Sequence, residues 1–147
     1  MANTKAVRFN APKFMQAEGL AVHINDYCVP TAAASGDTFD FYIPAGLEIT
    51  NVAVQSAAFD TNGTPTLAFK LGYLAVDSTS SLTAVDNYFA AAGATIMRGG
   101  GRLVCAFEPI TFNEDVIVRL TLTASAATFA AAGKLWAIVS GNANGPK

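Results

Sequence analysis

Apolar and polar residues alternate along the stretch from Thr38 to Leu74, and this alternation predicts β-strands. A period of two places every second side chain on one face of a strand, so that one set is buried and the other is exposed. Turn residues separate the alternating runs at Pro44 to Gly46 and at Thr61 to Pro65. Three strands joined by such turns form an antiparallel meander. The buried positions of the two clearest runs are Phe39, Phe41 and Ile43, and Leu67, Phe69, Leu71 and Tyr73.

The same alternation predicts further strands on both sides of this meander. They cover residues 21–29, 102–107, 115–123 and 134–140, with a short piece at 110–112. A set of about eight short strands separated by turn residues is typical of a sandwich or a barrel. We therefore predict an all-β fold, an antiparallel β-sandwich of the jelly-roll type.

Two segments depart from simple alternation. The buried parity is odd at Leu47 and Ile49 but even at Val52 and Val54, which predicts a β-bulge near Thr50 or Asn51. Farther along the chain, four apolar residues fall at helical spacing among alanines, and Gly93 supplies a stop signal. This second pattern predicts one short helix near residues 83–92. Its apolar positions are Leu82, Val85, Tyr88 and Phe89.

The ends of the chain lack either periodicity. Residues 1–19 contain Lys5, Arg8 and Lys13 as cations and Phe9, Phe14 and Met15 as large apolar residues. Because a merely solvated tail is poor in such residues, we expect an extended, basic N-terminal arm (1–19) that docks on a partner; a disordered terminus is the alternative. The arm precedes a β-sandwich domain (20–141), and a polar C-terminal tail (142–147) follows it.

Composition narrows the classes of partner. Charged residues make up 14% of the chain, against a usual share of about 25%, so much of the surface is either apolar or covered. A net charge of −2 is too small for steering towards nucleic acid. No run approaches the ~18–20 apolar residues of a membrane span. The first residues also lack the pattern of a secretory signal, from which we expect synthesis in a cytosol. We predict neither a nucleic-acid nor a membrane partner.

The residues that carry chemistry are few. A catalytic triad or dyad would have to use His23, the single histidine, and no nucleophile motif accompanies it. Cys28 and Cys105 lie in predicted strands without metal or redox spacing, so we expect reduced, half-buried thiols, with a disulfide as the alternative. Asp60 to Gly63 resembles a fragment of a calcium loop but is better explained as a hairpin turn. We predict no enzyme, no cofactor and no metal.

Apolar residues on the outer faces of two strands carry the main functional signal. Ile117, Trp136 and Ile138 occupy positions that alternation assigns to solvent. Apolar side chains on both faces of a strand indicate a second contact, with another protomer or a large partner. Trp136, Tyr42 and Tyr73 also leave open a carbohydrate-binding sandwich.

Several motifs resemble those of small proteins from the head gene clusters of tailed bacteriophages. These motifs are the runs from Asp40 to Ile49, Phe59 to Pro65, Leu71 to Tyr73 and Asp115 to Thr123, with the later Ala-Ala-Gly133 and a final apolar strand. The resemblance covers about residues 20–141. The family consists of capsid cement or decoration proteins with a jelly-roll fold, which bind the outside of an icosahedral shell and bridge neighbouring capsomers.

The resemblance implies a head-stabilising virion protein that binds an HK97-like major capsid protein and itself forms a homodimer or homotrimer. It implies a place on the capsid exterior after synthesis in the host bacterial cytoplasm. We predict capsid contact by the arm and protomer contact by the outward apolar residues. A glycan- or receptor-binding appendage on the virion is the alternative. The candidates are Lys5, Arg8, Phe9, Lys13 and Phe14 for the capsid, and Ile117, Trp136 and Ile138 for the protomer contact.

Overall fold

The computed structural model describes residues 1–10, 20–131 and 133–144. Ten strands and one helical turn, α1 (Ile96–Gly99), make up the regular structure of these residues. The strands are β1 (Asn3–Lys5), β2 (Leu20–Cys28), β3 (Thr38–Ile43), β4 (Leu47–Ser56), β5 (Ala68–Ala75), β6 (Val85–Ala94), β7 (Gly101–Val104), β8 (Ile110–Thr111), β9 (Val116–Ala124) and β10 (Leu135–Ala143).

Two sheets divide these strands between them. Sheet A has the order β1-β3-β9-β5-β6, and sheet B has the order β2-β10-β4-β7, with β8 also paired to β4. Every pairing is antiparallel except that of β1 with β3. The pairs nest as β2 with β10, β3 with β9, β4 with β7 and β5 with β6, which is the arrangement of a long hairpin rolled into two sheets, the jelly roll. The predicted all-β antiparallel sandwich is confirmed.

The core lies between the sheets and is built from alternate residues of each strand. Phe69 and Leu71 of β5 and Leu120 of β9 face Val52 and Val54 of β4, and all five are almost completely buried. Each such side chain contributes about 1.5–3 kcal/mol through removal from water. The large apolar residues that the alternation assigned to the buried face therefore do lie in the core.

The change of parity in β4 is a bulge, as predicted. Asn51 lies opposite Ser140, whereas Ile49 lies opposite Gly141, so Thr50 has no cross-strand partner. The extra residue returns Ile49 and Val52 to the same buried face. β10 approaches β4 closely here, because a Cβ atom added to Gly141 would lie 1.8 Å from the carbonyl oxygen of Glu48.

The helix predicted near residues 83–92 is wrong, because this segment is strand β6 at the edge of sheet A. Only three residues of β6 are matched to residues of β5, and the register shifts between each pair. The extra residues break the period of two, so that Tyr88 and Phe89 are both turned towards other aromatic rings. Their spacing imitated a helix, and pairing with β5 overrode the helix propensity of the neighbouring alanines. The helical turn comes later, at Ile96–Gly99.

The ends of the described chain pack on the sandwich. Residues 1–10 include strand β1, and β10 continues through Ala143, which is buried. The division into arm, sandwich and tail stays a prediction, because residues 11–19 and 145–147 lie outside the described residues. None of the described helices is long and apolar enough to cross a membrane.

Candidate interaction surfaces

The described part of the arm joins the edges of the two sheets. Ala6 N donates to Asp40 O of β3 at 2.7 Å, and Val7 N donates to Tyr27 O of β2, also at 2.7 Å. Thr38 N donates to Ala2 O at the other end of β1. Since β3 belongs to sheet A and β2 to sheet B, the arm closes one side of the sandwich.

Side chains of the arm divide into an anchor and an exposed set. Phe9 is buried, with its ring centroid 5.7 Å from that of Tyr42, and Lys5 Nζ lies 4.8 Å from the Phe9 centroid. Lys5 and Arg8 are exposed. Of the predicted capsid contacts, Phe9 therefore serves to hold the arm on its own domain, whereas Lys5 and Arg8 present cations outward. Lys13 and Phe14 lie outside the described residues.

Three carboxylates receive the arm. Asp37 accepts the backbone N–H of Ala2 at 2.8 Å and that of Ala34 at 3.0 Å, and these bonds hold the pKa of Asp37 below its ordinary value. Asp26 Oδ1 accepts the N–H of Arg8 at 2.8 Å, and its buried Oδ2 has no partner among the described residues. The basic arm thus lies against acidic residues of the sandwich, and the two charges are complementary.

Asp40 is the most buried of these carboxylates. Its two oxygens accept Arg119 Nε and Nη2 at 2.7 Å each, and Oδ2 also accepts Asn3 Nδ2 at 2.7 Å. The bond to Asp40 raises the pKa of Arg119. A bidentate pair of this kind fixes direction as well as charge. The bond from Asn3 to Asp40 ties the first residues of the arm to the outer face of sheet A.

The outer face of sheet B is largely uncharged. One row across the sheet runs Tyr27, Trp136, Gln55, Arg102, and the next runs Asn25, Ile138, Ala53, Val104. Trp136 and Ile138 are half-buried, and Val104 is 60% exposed. Lys134 Nζ lies 4.2 Å from the Tyr27 centroid and 5.6 Å from that of Trp136. The charged groups on these two rows and beside them are thus cations at the rim.

Ile117 occupies the opposite side of the molecule. It lies on the outer face of sheet A, where its cross-strand neighbours are Tyr42 and Leu74, and it is only 8% exposed. Trp136 and Ile138 lie on sheet B. The structure therefore does not bring the three predicted protomer contacts together on one surface.

Asp60 organises one end of the sandwich, a role that sequence reasoning missed. It is 3% exposed and accepts five backbone N–H groups from two loops. Burial alone would raise the pKa of Asp60, but the backbone donors outweigh burial and hold the pKa well below its ordinary value. The sequence predicted the turn that follows Asp60. The second loop that donates to Asp60 lies more than 60 residues later in the chain, and no local pattern indicates that the two meet. The donors are Asn62, Thr66, Leu67, Ala127 and Thr128.

Reactive groups are sparse in the described part of the chain. Cys28 and Cys105 are free, as predicted. Burial, with the charges of Asp26 and Asp40, raises the pKa of Cys28 to about 12, and burial raises that of Cys105 to about 11. Among the described residues no three His, Cys, Asp or Glu side chains lie where they could hold a metal ion.

No protein-family model and no curated protein matches the chain. Two solved structures do. A chain in the capsid of Ralstonia phage GP4 is 18% identical with a TM-score of 0.75, and the match covers 99% of this chain and 100% of that one. A chain in the capsid asymmetric unit of cyanophage Pam1 is 20% identical with a TM-score of 0.66, over 90% of both chains. This protein thus shares its fold, over nearly its whole length, with chains from two phage capsids.

Proposed function

We propose that this protein is a structural component of a phage virion that binds the outer surface of an icosahedral capsid and joins neighbouring capsomers. The observation that carries the proposal is the match over 99% of this chain and 100% of the chain from the capsid of phage GP4. The fold that this chain shares with a chain of a phage capsid supports a structural role in a virion. The function that we propose is therefore adhesion to the capsid.

The surface chemistry agrees with this role. A capsid partner, for which we propose an HK97-like major capsid protein, would meet either the cations of the arm or the uncharged face of sheet B. Individual contacts of either kind are modest. A homodimer or homotrimer multiplies them by effective concentration on a symmetric shell. The protein would be made in the host bacterial cytoplasm and reside on the virion exterior.

A charge-reversal pair distinguishes the two surfaces. Purified protein is added to capsids assembled without it, and occupancy is measured by sedimentation. If the arm makes the contact, Lys5→Glu with Arg8→Glu lowers occupancy at least tenfold. The matched control, Arg102→Glu with Lys134→Glu, reverses two exposed cations at the outer face of sheet B and leaves occupancy unchanged. If instead the control variant loses occupancy and the arm variant does not, the capsid contact lies on sheet B. Failure of the wild-type protein to bind any such capsid would refute the proposed function.

A glycan-binding appendage has less support. Sugar rings stack on an open aromatic face, whereas Lys134 already lies against both Tyr27 and Trp136. Binding on a glycan array that Trp136→Ala abolishes would restore this alternative.

A further inference from the structure

Asn62 and Gly63 stand next to each other in the turn that follows Asp60, and both are exposed. The side-chain amide of an asparagine can be attacked by the backbone nitrogen of the residue that follows it, which closes a five-membered ring. A glycine in the second position hinders this attack least, because it has no Cβ atom. The pair therefore has the residue types and the exposure that such a reaction needs.

Two hydrogen bonds hold the side-chain amide of Asn62 in place. Its Oδ1 accepts the N–H of Thr64 at 2.9 Å, and its Nδ2 donates to Thr128 Oγ1 at 3.0 Å. The first bond spans Gly63, so it keeps the side-chain carbonyl group beside the Gly63 peptide. The same bond polarises this carbonyl group and stabilises the negative charge that develops on Oδ1 during attack. Because both reacting groups belong to one held turn, the attack has the advantage of an intramolecular reaction.

We propose that Asn62 is a modification site, at which the chain deamidates spontaneously. The backbone nitrogen of Gly63 attacks Cγ of Asn62, and the new N–Cγ bond replaces the bond from Cγ to Nδ2. Nδ2 leaves as ammonia together with the proton from the Gly63 nitrogen, and a succinimide remains. Water then opens the succinimide at either carbonyl group, which gives aspartate or isoaspartate at position 62.

The products fit the surroundings of Asn62 less well than the amide does. A carboxylate has no N–H group to replace the donation from Nδ2 to Thr128 Oγ1. Asn62 N donates to Asp60 Oδ1 at 3.3 Å, so the new charge lies in the same turn as the buried Asp60 carboxylate and the two repel each other. Isoaspartate also lengthens the backbone of the turn by one methylene group. Deamidation therefore weakens the contact between this turn and the later loop that contains Thr128.

Peptide mapping by mass spectrometry measures the reaction on the full chain. Folded protein is incubated at neutral pH beside a synthetic peptide of residues 58–67, and the aspartate and isoaspartate products are separated by chromatography. We expect Asn62 of the protein to react at a rate within tenfold of that of the peptide. Gly63→Ala is the matched control, because a Cβ atom there meets nothing within 4 Å, and it should slow the reaction at least tenfold. A folded protein that reacts more than tenfold more slowly than the peptide, or a G63A variant that reacts as fast as wild type, would overturn the proposal.

Thermal denaturation measures the consequence for the fold. Asn144 is also followed by glycine, so Asn144→Gln is introduced into both proteins to leave one such pair. The Tm of the incubated N144Q protein should fall by about 2–4 °C as position 62 is converted, whereas that of N144Q with Gly63→Ala should stay constant. An unchanged Tm after complete conversion would refute the weakened contact between the loops. Both experiments use isolated protein and do not depend on capsid binding.

Discussion

Replacing Gly141 by alanine tests the closest approach between two strands of sheet B. The added Cβ would lie 1.8 Å from Glu48 O, whereas real Cβ atoms essentially never come nearer than 3.0 Å. β10 and β4 must therefore separate by more than an ångström at the bulge. Overpacking typically costs about 1–3 kcal/mol, and the top of that range applies because the obstacle is backbone. Loosening two ladder bonds adds about 1 kcal/mol each.

The expected loss is thus about 4–5 kcal/mol in the free energy of unfolding. At roughly 3 °C per kcal/mol for a chain of this size, Tm falls by about 12–15 °C. Thermal denaturation followed by circular dichroism measures this fall in Tm.

Two other glycines serve as controls. A Cβ at Gly63 meets nothing within 4 Å, so Gly63→Ala is expected to be neutral. Gly93 also has open space but a φ of 103°, so Gly93→Ala should cost about 1–2 kcal/mol through backbone strain alone. A G141A variant that melts within 2 °C of wild type would refute the close approach.

Three further predictions concern single side chains. The folded pKa of Asp60 lies below its unfolded value, so the stability that Asp60 contributes is complete above about pH 4 and is lost as the pH falls towards the folded pKa. Asp60→Ala should therefore lower Tm at pH 7 and flatten the decline of Tm below pH 4. A decline of Tm in acid that matches that of wild type would contradict this. Ile117→Ser should destabilise the isolated chain by about 2–4 kcal/mol in urea unfolding, whereas Ile138→Ser, at a half-buried position, should cost less than half as much; equal losses would contradict the placement of Ile117. The pKa is raised to about 12 for Cys28 and to about 11 for Cys105, which predicts slow labelling of both by a thiol reagent at pH 8. Cys105 should react faster than the fully buried Cys28, and both should react fast in denaturant. Rapid labelling of Cys28 in the native protein would contradict its burial.

The alternation of apolar and polar residues predicted most of the fold, because it indicates directly which side chains are buried. The parity change between Ile49 and Val52 placed the bulge within one residue of Thr50, since a shift of one residue would otherwise turn every later side chain to the wrong face. The same reasoning failed for β6. A strand with several extra residues has no period of two, and the spacing of Tyr88 and Phe89 then matched a helix by coincidence.

The interaction surfaces were less accessible to sequence reasoning because they depend on which strands become neighbours. Ile117 was correctly assigned to an outer face, but Tyr42 and Leu74 cover it, and they come from strands 40 or more residues away along the chain. Phe9 was predicted to contact the capsid, whereas its ring packs beside Tyr42 of its own domain. No pattern in the sequence indicated that Asp40, beneath the arm, would pair with Arg119.

The position of β10 constrains how the chain can fold. β10 lies in the middle of sheet B, between β2 and β4, yet it is the last of the described strands. During synthesis, residues 20–28 leave the ribosome more than a hundred residues before Leu135, which pairs with Cys28. Sheet B can therefore close only after almost the whole described chain has emerged, and such non-local pairing folds slowly, in about milliseconds to seconds. Until then the inner edges of β2 and β4 are both unpaired, so a nascent chain stalled before β10 exposes two sheet edges that the finished molecule hides.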